Sequence, residues 1–153
     1  GRCPRARFLQ VPALNEKLDE VLNFIDSLLD EVDLEPENLK QVKSSMATAV
    51  DDIFTNIVNY AGQGSQEIVH VTIRAEIQAY PYQLVVHFID NGHPYDPTAV
   101  AAPNVDLDFK ERCCGGLGIF LVKKLTDQMS YRYTEGCNIL RLAKKLEKAE
   151  EKN

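Results

Sequence analysis

Two polar side chains that could do chemistry lie four residues apart in a stretch of helical periodicity, at Asp52 and Asn56. On a helix, residues at this spacing point the same way, about one turn apart. The amide oxygen of Asn56 could bind Mg²⁺, a hard cation that prefers oxygen ligands. The Asp52 carboxylate could deprotonate a hydroxyl or a water. The alternative is that both are solvated polar residues on the flank of the helix.

A second candidate site is Asp90-Asn91-Gly92, which follows an apolar run typical of a strand. The Asp90 carboxylate could accept a hydrogen bond from an exocyclic amine such as that of adenine. Gly92 would let the backbone approach a flat base closely. A plain turn is the alternative, since Asn-Gly and Asp-x-Gly are common turn sequences.

A third candidate site is Gly115-Gly116-Leu117-Gly118, immediately before a short apolar segment with helical spacing. Consecutive glycines let backbone N–H groups converge on an anion, and a helix N-terminus adds a favourable partial positive charge. The segment lacks the Lys-Ser/Thr of a P-loop and the spacing of a dinucleotide-binding fingerprint. It indicates a phosphate site of another type, with a flexible hinge as the alternative.

The composition is that of a globular protein without an overall basic surface. The 153 residues are 44% hydrophobic and 26% charged, and the formal net charge is −6. We therefore expect a single domain over residues 1–153. The acidic balance disfavours direct binding of nucleic acid. No apolar run has the length of a transmembrane helix or the pattern of a signal peptide, so we expect a cytoplasmic protein without membrane contact.

The four cysteines, Cys3, Cys113, Cys114 and Cys137, have no spacing typical of a structural zinc site. Adjacent cysteines rarely form a comfortable disulfide, because their side chains leave the backbone in different directions. We expect free thiols, with a redox-sensitive pair at Cys113 and Cys114 as the alternative.

Apolar periodicity defines the elements that must position these residues. Spacings of three and four predict helices, and alternation with a period of two predicts strands. Pro36 suits the first turn of the second helix, and Gly62 suits its end. The predicted order is a strand over 7–11, helices over 14–29 and 36–61, a hairpin of strands 69–78 and 84–89, a short helix after Gly118, and a hairpin of strands 129–134 and 137–143.

This order predicts an α+β fold, a two-layer α/β sandwich with helices on one face of a mixed, mostly antiparallel sheet. The segment 93–114 has little periodicity, and a stretch of that length inside a compact domain is usually functional. The charged tail from Lys144 onwards is expected to be a helix end or a disordered extension, with disorder over 147–153.

In chain order, the three candidate sites resemble the nucleotide-binding boxes of the histidine-kinase-like (GHKL, or Bergerat-fold) ATPases. Asn56 matches the N box, Asp90-x-Gly92 the G1 box, and Gly116-Leu117-Gly118 the G2 box. The wider sequence is similar to the anti-sigma-factor serine kinases of that superfamily. This similarity extends over residues 7–146, and it is carried by Asp52 to Val58, Pro94 to Pro97, Gly115 to Val122 and Asn138 to Leu142.

The resemblance implies the Bergerat ATP-binding fold, with ATP and Mg²⁺ as ligands. Asn56 would bind the Mg²⁺ that bridges the phosphates. Asp90 would accept a hydrogen bond from the adenine amine, and Gly92 would line the base. Residues 93–114 would form the ATP lid. The phosphates would meet the backbone N–H groups of the glycine cluster, Gly115, Gly116, Leu117 and Gly118.

Two further side chains receive a role from the resemblance. Asp52 stands where the family has the glutamate that acts as general base on the substrate serine. Arg112, in the lid, would contact the γ-phosphate, with a solvated loop arginine as the alternative. Asp52 is one methylene shorter than glutamate, and a shorter reach to the hydroxyl lowers the rate of transfer.

The implied function is that of an ATP-dependent protein serine/threonine kinase, which phosphorylates a serine of an anti-anti-sigma (STAS-type) partner. With a sigma factor as second partner, it would regulate transcription by partner switching. A homodimer is suggested by the family alone. The alternative, motivated by the shortened Asp52, is an ATP-binding module that sequesters a partner with little or no phosphotransfer. The catalytic half of a two-component histidine kinase is disfavoured, because the three histidines lie on predicted strands or in a loop.

Overall fold

The polypeptide combines helices and β-hairpins in the order that the periodicity predicts. The computed structural model describes residues 6–62, 67–97 and 117–147. The elements are β1 (Arg7–Pro12), α1 (Leu18–Leu29), α2 (Pro36–Asn56), β2 (His70–Ala79), β3 (Tyr82–Asp90), α3 (Leu117–Leu125), β4 (Gln128–Thr134) and β5 (Cys137–Lys145). A 3-10 turn, Asn15–Lys17, precedes α1, and a π-helical turn, Ile57–Ala61, follows α2.

The strands form one five-stranded sheet in the order β1-β2-β3-β5-β4, and every pairing is antiparallel. The prediction of a mostly antiparallel sheet is confirmed, and the described strands contain no parallel pair. The reason is the position of β5, which lies between β3 and β4 and pairs antiparallel with both. Strands β3 and β4 therefore run in the same direction without pairing, as a split β-α-β unit connected through α3.

Helix α2 changes its geometry directly after a candidate site residue. It begins at Pro36, as predicted, because proline at the first helical position gives up no intrahelical hydrogen bond. The regular helix ends at Asn56, and the chain continues through the π-helical turn before it reaches Gly62. Such π-helical turns occur frequently at functional sites. This end of α2 is therefore a candidate position for a functional site.

The core lies between the helices and one face of the sheet. Inward-facing strand residues such as Val71, Ile73 and Ala75 of β2 are fully buried, and their neighbours along the strand are not. They form one cluster with side chains from the helices. The largest fully buried members of this cluster are Phe54, Phe88, Leu29, Met46 and Ile53. The predicted two-layer α/β sandwich is confirmed.

The last hairpin is longer than the periodicity predicts. Lys144 and Lys145, expected in the tail, pair with β3, because tertiary pairing overrides the low strand propensity of lysine. The turn before β5, Glu135-Gly136, has φ values of 51° and 78°, as a two-residue turn of type I′ requires. Residues 148–153 lie outside the described residues, and the single domain over 1–153 stays a prediction. No helix in the described part of the chain is long and apolar enough to cross a membrane.

Candidate functional site

A polar pair ends the otherwise apolar inner face of the sheet. The register places Asp90, at the end of β3, directly opposite Asn138 on β5, beside the apolar pair Phe88 and Leu140. Both polar side chains are only 4% exposed. Asn138 Nδ2 donates a hydrogen bond of 2.9 Å to Asp90 Oδ1. Strand alternation thus carries two polar groups into the layer of the core.

One oxygen of the Asp90 carboxylate is engaged by two donors. Besides Asn138, the backbone N–H of Gly92 donates a hydrogen bond of 2.9 Å to Oδ1. Burial raises the pKa of the Asp90 carboxyl above its ordinary value, while the hydrogen bonds from Asn138 and Gly92 lower it. Within the described ranges both hydrogen bonds go to Oδ1, so Oδ2 is the oxygen that a ligand donor can use.

Gly92 lies where the chain passes the π-helical turn. A Cβ added there would be 2.2 Å from the Ala61 carbonyl oxygen, far inside van der Waals contact, so another residue requires a backbone shift. His93 continues the contact, because its N–H donates to Ala61 O at 3.1 Å and its Nε2 lies 2.8 Å from Tyr60 O. The glycine predicted to line a base therefore also has a packing role.

The helical candidates approach this region from the opposite layer. Asn56 is 4% exposed, so the alternative of a solvated residue on the helix flank is wrong for it, while Asp52 is half-buried. Asn56 Nδ2 and Asp52 Oδ2 are buried atoms without a hydrogen-bond partner among the described residues. Burial, and then the neighbouring Asp51, raises the pKa of Asp52. Because buried polar atoms normally have partners, both groups are candidates for ligand contact.

One small cavity brings the strand and helix candidates together. Asn56 lines it from α2, Asp90 and Asn138 line it from the sheet, and Tyr95 and Pro97 line it from the chain that follows β3. Its volume of about 20 Å³ has room for about one water. A purine ring is much larger than this volume, so adenine binding requires that some of the lining residues move.

A cation at this place would have few protein ligands. The described residues contain no group of three or more His, Cys, Asp and Glu side chains that could hold a metal. Asn56 lines the cavity, whereas Asp52, one turn earlier on α2, does not. This donor set fits Mg²⁺, which keeps several waters and is commonly held by one or two side chains together with substrate phosphates.

Asn138 is the hub of the site, and sequence reasoning does not identify it as a site residue. Besides Asp90, its Nδ2 donates to the His93 carbonyl oxygen at 2.9 Å. Its Oδ1 accepts a hydrogen bond of 3.0 Å from Tyr95 N and another from the Tyr131 hydroxyl. The signal that could have revealed it is a polar residue in the inward, apolar register of β5.

Tyr95 is fixed to both layers of the fold. Its ring stacks on Tyr60 of the π-helical turn, with a centroid separation of 5.0 Å and an interplanar angle of 23°. Its backbone N–H is shared between Asn138 and the hydroxyl of Tyr131, the latter at 3.2 Å. A movement of Tyr95 that enlarges the cavity therefore requires that these contacts rearrange.

The remaining predicted site residues fall outside what the structure describes in full. The segment 98–116 is not described, and it contains most of the predicted lid 93–114 together with Arg112, Cys113, Cys114, Gly115 and Gly116. Leu117 and Gly118 form the first turn of α3, of which only the backbone is described. Their roles stay predictions. Cys137 at the start of β5 forms no disulfide with the described residues.

Known proteins share this sequence pattern. Residues 11–144 match the family described as "Histidine kinase-like ATPase domain". Serine/threonine-protein kinase BtrW of Bordetella bronchiseptica is 27% identical over 103 residues, which are 67% of this chain and 70% of that protein. Serine-protein kinase RsbW of Listeria innocua and that of Listeria monocytogenes are each 30% identical over 96 residues. The match to these Listeria proteins spans 59% of their length, less than two thirds.

The match to the family runs from β1 to β5 and includes the helical and the strand candidates of the site. The observed α+β sandwich has the antiparallel sheet and the helical layer that the resemblance implies. The chain therefore belongs to the histidine kinase-like ATPase family.

Proposed function

We propose that this chain binds ATP with Mg²⁺ between the end of α2 and the inner face of the sheet, and transfers the γ-phosphate to a serine of a protein partner. The observation that carries the proposal is the convergence of Asn56, Asp90 and Asn138 on one cavity in a member of an ATPase family. The names of the similar proteins, which are serine kinases, support the transfer step.

Recognition of adenine rests on Asp90 in this proposal. The exocyclic amine donates to Oδ2, and the low dielectric around a buried carboxylate strengthens that hydrogen bond. Asn138 acts as a positioning residue, since it holds Oδ1 and leaves Oδ2 to the base. Gly92, packed on the π-helical turn, keeps the backbone close to the plane of the base.

Asn56 is proposed to bind Mg²⁺ through its amide oxygen. The buried amide without a partner at Nδ2 supports this role, because rotation about the last side-chain bond can present either end of the amide to a ligand. Bound Mg²⁺ would supply charge neutralisation at the ATP phosphates.

The ATP phosphates are proposed to meet backbone N–H groups at the N-terminus of α3, where the partial positive charge of the helix favours anions. Arg112 would pair with the γ-phosphate as a charge-assisted donor. The residues that would bring their N–H groups to the phosphates are Gly115, Gly116, Leu117 and Gly118.

Transfer needs a base for the serine hydroxyl, and Asp52 is the proposed base. The serine oxygen attacks the γ-phosphorus, the bond between the γ-phosphorus and its bridging oxygen breaks to release ADP, and the hydroxyl proton passes to the Asp52 carboxylate. Burial raises the pKa of this carboxyl, which makes it a better proton acceptor.

One observation favours a second function, ATP-dependent sequestration of a partner without phosphotransfer. Asp52 does not line the cavity that Asn56 and Asp90 share, and it is shorter than the glutamate of the family. A misplacement of about 1 Å can lower a rate about a hundredfold. ATP binding would then persist while transfer fades.

The proposed partner is an anti-anti-sigma (STAS-type) protein, with a sigma factor as second partner in a cytoplasmic signalling pathway that regulates transcription. A homodimer is part of the same proposal. Support comes from the similarity of Asp52 to Val58 and of Gly115 to Val122 to the anti-sigma-factor serine kinases.

Calorimetric titration with ATP and Mg²⁺ tests the binding half of the proposal. We expect Asn56→Ala to weaken binding about tenfold to a hundredfold, since a hydrogen bond or ligand bond to a charged group is lost. Thr55→Ala is the matched control, because Thr55 is the neighbour of Asn56 on α2 and its hydroxyl bonds to Asp51. Binding that is equal in both variants, or absent from the unmodified protein, would contradict the proposed site.

Incubation with radiolabelled ATP and a STAS-type protein tests the transfer half. We expect label on the partner with the unmodified chain, none with Asp52→Ala, and faster labelling with Asp52→Glu, because the longer side chain restores the reach of the base. Tight ATP binding without labelling by any of the three proteins would instead support sequestration.

A further inference from the structure

The outer face of the sheet differs in charge from the rest of the molecule. No described helix covers it, since α1, α2 and α3 pack on the inner face. The strand registers place four basic residues and one acidic residue on it: Arg74, Arg132, Arg141, Lys145 and Glu76. The whole chain carries a net charge of −6, so the positive charge of this face is opposite in sign to the charge of the whole chain.

A row of basic side chains crosses three strands of this face. Arg74 on β2 lies opposite His87 on β3, which lies opposite Arg141 on β5. Like charges in such a row are unfavourable unless a counter-charge is near. Arg74 has one, Glu76 at 3.0 Å. Arg141 donates only to the neutral Gln128 at 3.0 Å, so its charge is not neutralised by any described residue.

Arg132 extends the row to the edge strand. It lies opposite Ile139 on β5, diagonal to Arg141, is exposed, and has no hydrogen bond or ion pair with the described residues. His87 Nδ1 is a buried atom without a partner in the same part of the chain. Burial lowers the pKa of His87 most, followed by the charges of Arg74 and Arg141. Glu76 raises this pKa by less than either of these arginines lowers it, and Arg132 lowers it slightly. The potential at this point of the sheet is therefore positive.

A groove opens between these charges. It has a volume of about 440 Å³ and is lined by His87, Ser130, Tyr131, Arg132, Ile139 and Arg141. That volume lies within the range of ligand sites in proteins. Neighbouring strands are about 4.8 Å apart, so the arginines of β5 and β4 can engage successive carboxylates of one bound segment.

We propose that this arginine groove, defined by the six lining residues, binds an acidic segment of a partner protein through ion pairs to Arg132 and Arg141. A long nucleic acid would extend beyond the groove onto an acidic molecule and be repelled there. A second copy that presented the same face across a two-fold axis would set the arginines against like charges. The two arginines lie on the outer face and the proposed nucleotide site on the inner face, and only Tyr131 lines both cavities among the described residues.

The test uses the full chain and a fluorescein-labelled peptide of alternating glutamate and glycine, titrated at low salt by fluorescence anisotropy. The variant Arg132→Glu/Arg141→Glu reverses the charge of the groove, and we expect its affinity for the peptide to fall at least about tenfold. The matched control Lys17→Glu/Lys40→Glu makes the same change in net charge on the helical side, and we expect a change within about twofold.

Four outcomes would overturn the proposal. The first is that the unmodified chain does not bind the peptide, and the second is that the two double variants lose affinity equally. The third is that inorganic phosphate displaces the labelled peptide at the same concentration as the unlabelled peptide does, and the fourth is that sedimentation shows a dimer of the unmodified chain that Arg132→Glu/Arg141→Glu converts to a monomer. The third result would indicate a site for free anions, and the fourth an interface between copies.

Two controls keep the result interpretable. If the double variant fails to fold, Arg132→Gln alone repeats the test at the exposed position, with an expected loss of about threefold. Calorimetry with ATP and Mg²⁺ on the folded double variant is expected to give the affinity of the unmodified chain. Failure of the groove and failure of the nucleotide site are therefore separate observations.

Discussion

The two faces of the sheet at the β3–β5 pair differ in how their polar side chains are paired and exposed. On the inner face, Asp90 and Asn138 are buried and share a hydrogen bond of 2.9 Å. On the outer face, three residues earlier on β3, the half-buried His87 lies between Arg74 and Arg141, and the exposed Arg132 lies diagonal to Arg141. A buried polar group without a partner costs free energy, whereas water and salt screen an exposed charge. Asp90 and Asn138 on the inner face are therefore hydrogen-bonded to each other, and the outer face can keep surplus charge for a partner.

The largest expected effect on the free energy of unfolding is that of Gly92→Ala, at the close contact between Gly92 and the π-helical turn. The new Cβ would meet the Ala61 carbonyl oxygen at 2.2 Å, and forced backbone shifts of this kind cost about 3 kcal/mol of unfolding free energy. The control Gly62→Ala meets only the Val69 side chain, at 3.2 Å, and should cost less than about 1 kcal/mol. Urea unfolding of both variants measures the difference, and equal costs would contradict the tight contact.

Equal charge changes on the two faces should have unequal effects. Asn138→Asp and Arg141→Gln each lower the net charge by one, on the same strand. We expect Asn138→Asp to cost about 2 kcal/mol at neutral pH, because it sets a second buried carboxylate against Asp90. Arg141→Gln should stay within about 0.5 kcal/mol. Thermal unfolding at neutral and acidic pH checks this, since a shared proton should relieve the cost of Asn138→Asp in acid. Similar costs for the two variants would remove the contrast between the faces.

A smaller effect concerns the pH dependence of stability at the half-buried Asp52. Burial, with a contribution from Asp51, raises its pKa above the ordinary value of 3.8. At a pH between 3.8 and the higher pKa of the folded state, the folded state binds more protons than the unfolded state. The contribution of Asp52 to the free energy of unfolding is therefore complete below 3.8 and is lost as the pH rises through the folded-state pKa. In urea unfolding as a function of pH, Asp52→Asn should lack this loss, while a neighbouring Asp51→Asn should retain part of it. Identical pH profiles of Asp52→Asn and the unmodified chain would show that the carboxyl is not perturbed.

The smallest effect is a shift in the titration of His87 on the outer face. In the variant Arg132→Gln/Arg141→Gln, two of the positive charges that lower its pKa are gone, and burial and Arg74 remain. We expect the pKa to rise towards 6.5 without reaching it, as followed by NMR of the imidazole protons. An unchanged His87 would indicate that the arginines do not set the potential of the groove.

Much of the fold could be predicted from apolar spacing, because burial of one stripe or one face determines both helices and strands. The boundaries of β1, α2 and β2 agree with the pattern within a residue or two, apart from the π-helical end of α2. Lys144 and Lys145 were misassigned, because their place in β5 depends on pairing with β3 rather than on their own preference.

The candidate site could be predicted only in part. The sequence motifs identified Asn56 and Asp90 separately as candidate site residues, and in the structure both line one cavity. Asn138 was not identified, because its partners on β3, on β4 and in the chain after β3 are distant in sequence. The contact of Gly92 with Ala61 likewise joins two segments that the pattern treats separately.

The sequence by itself determined the elements, the inward and outward sets of each strand, and membership of the family, since these depend on local periodicity and short motifs. Only the tertiary structure decided which polar residues meet. The register of β3 with β5 pairs Asp90 with Asn138 on one side and His87 with Arg141 on the other. The physical reason is that register follows from the packing of the whole inner face against α1, α2 and α3, and no single segment contains that information.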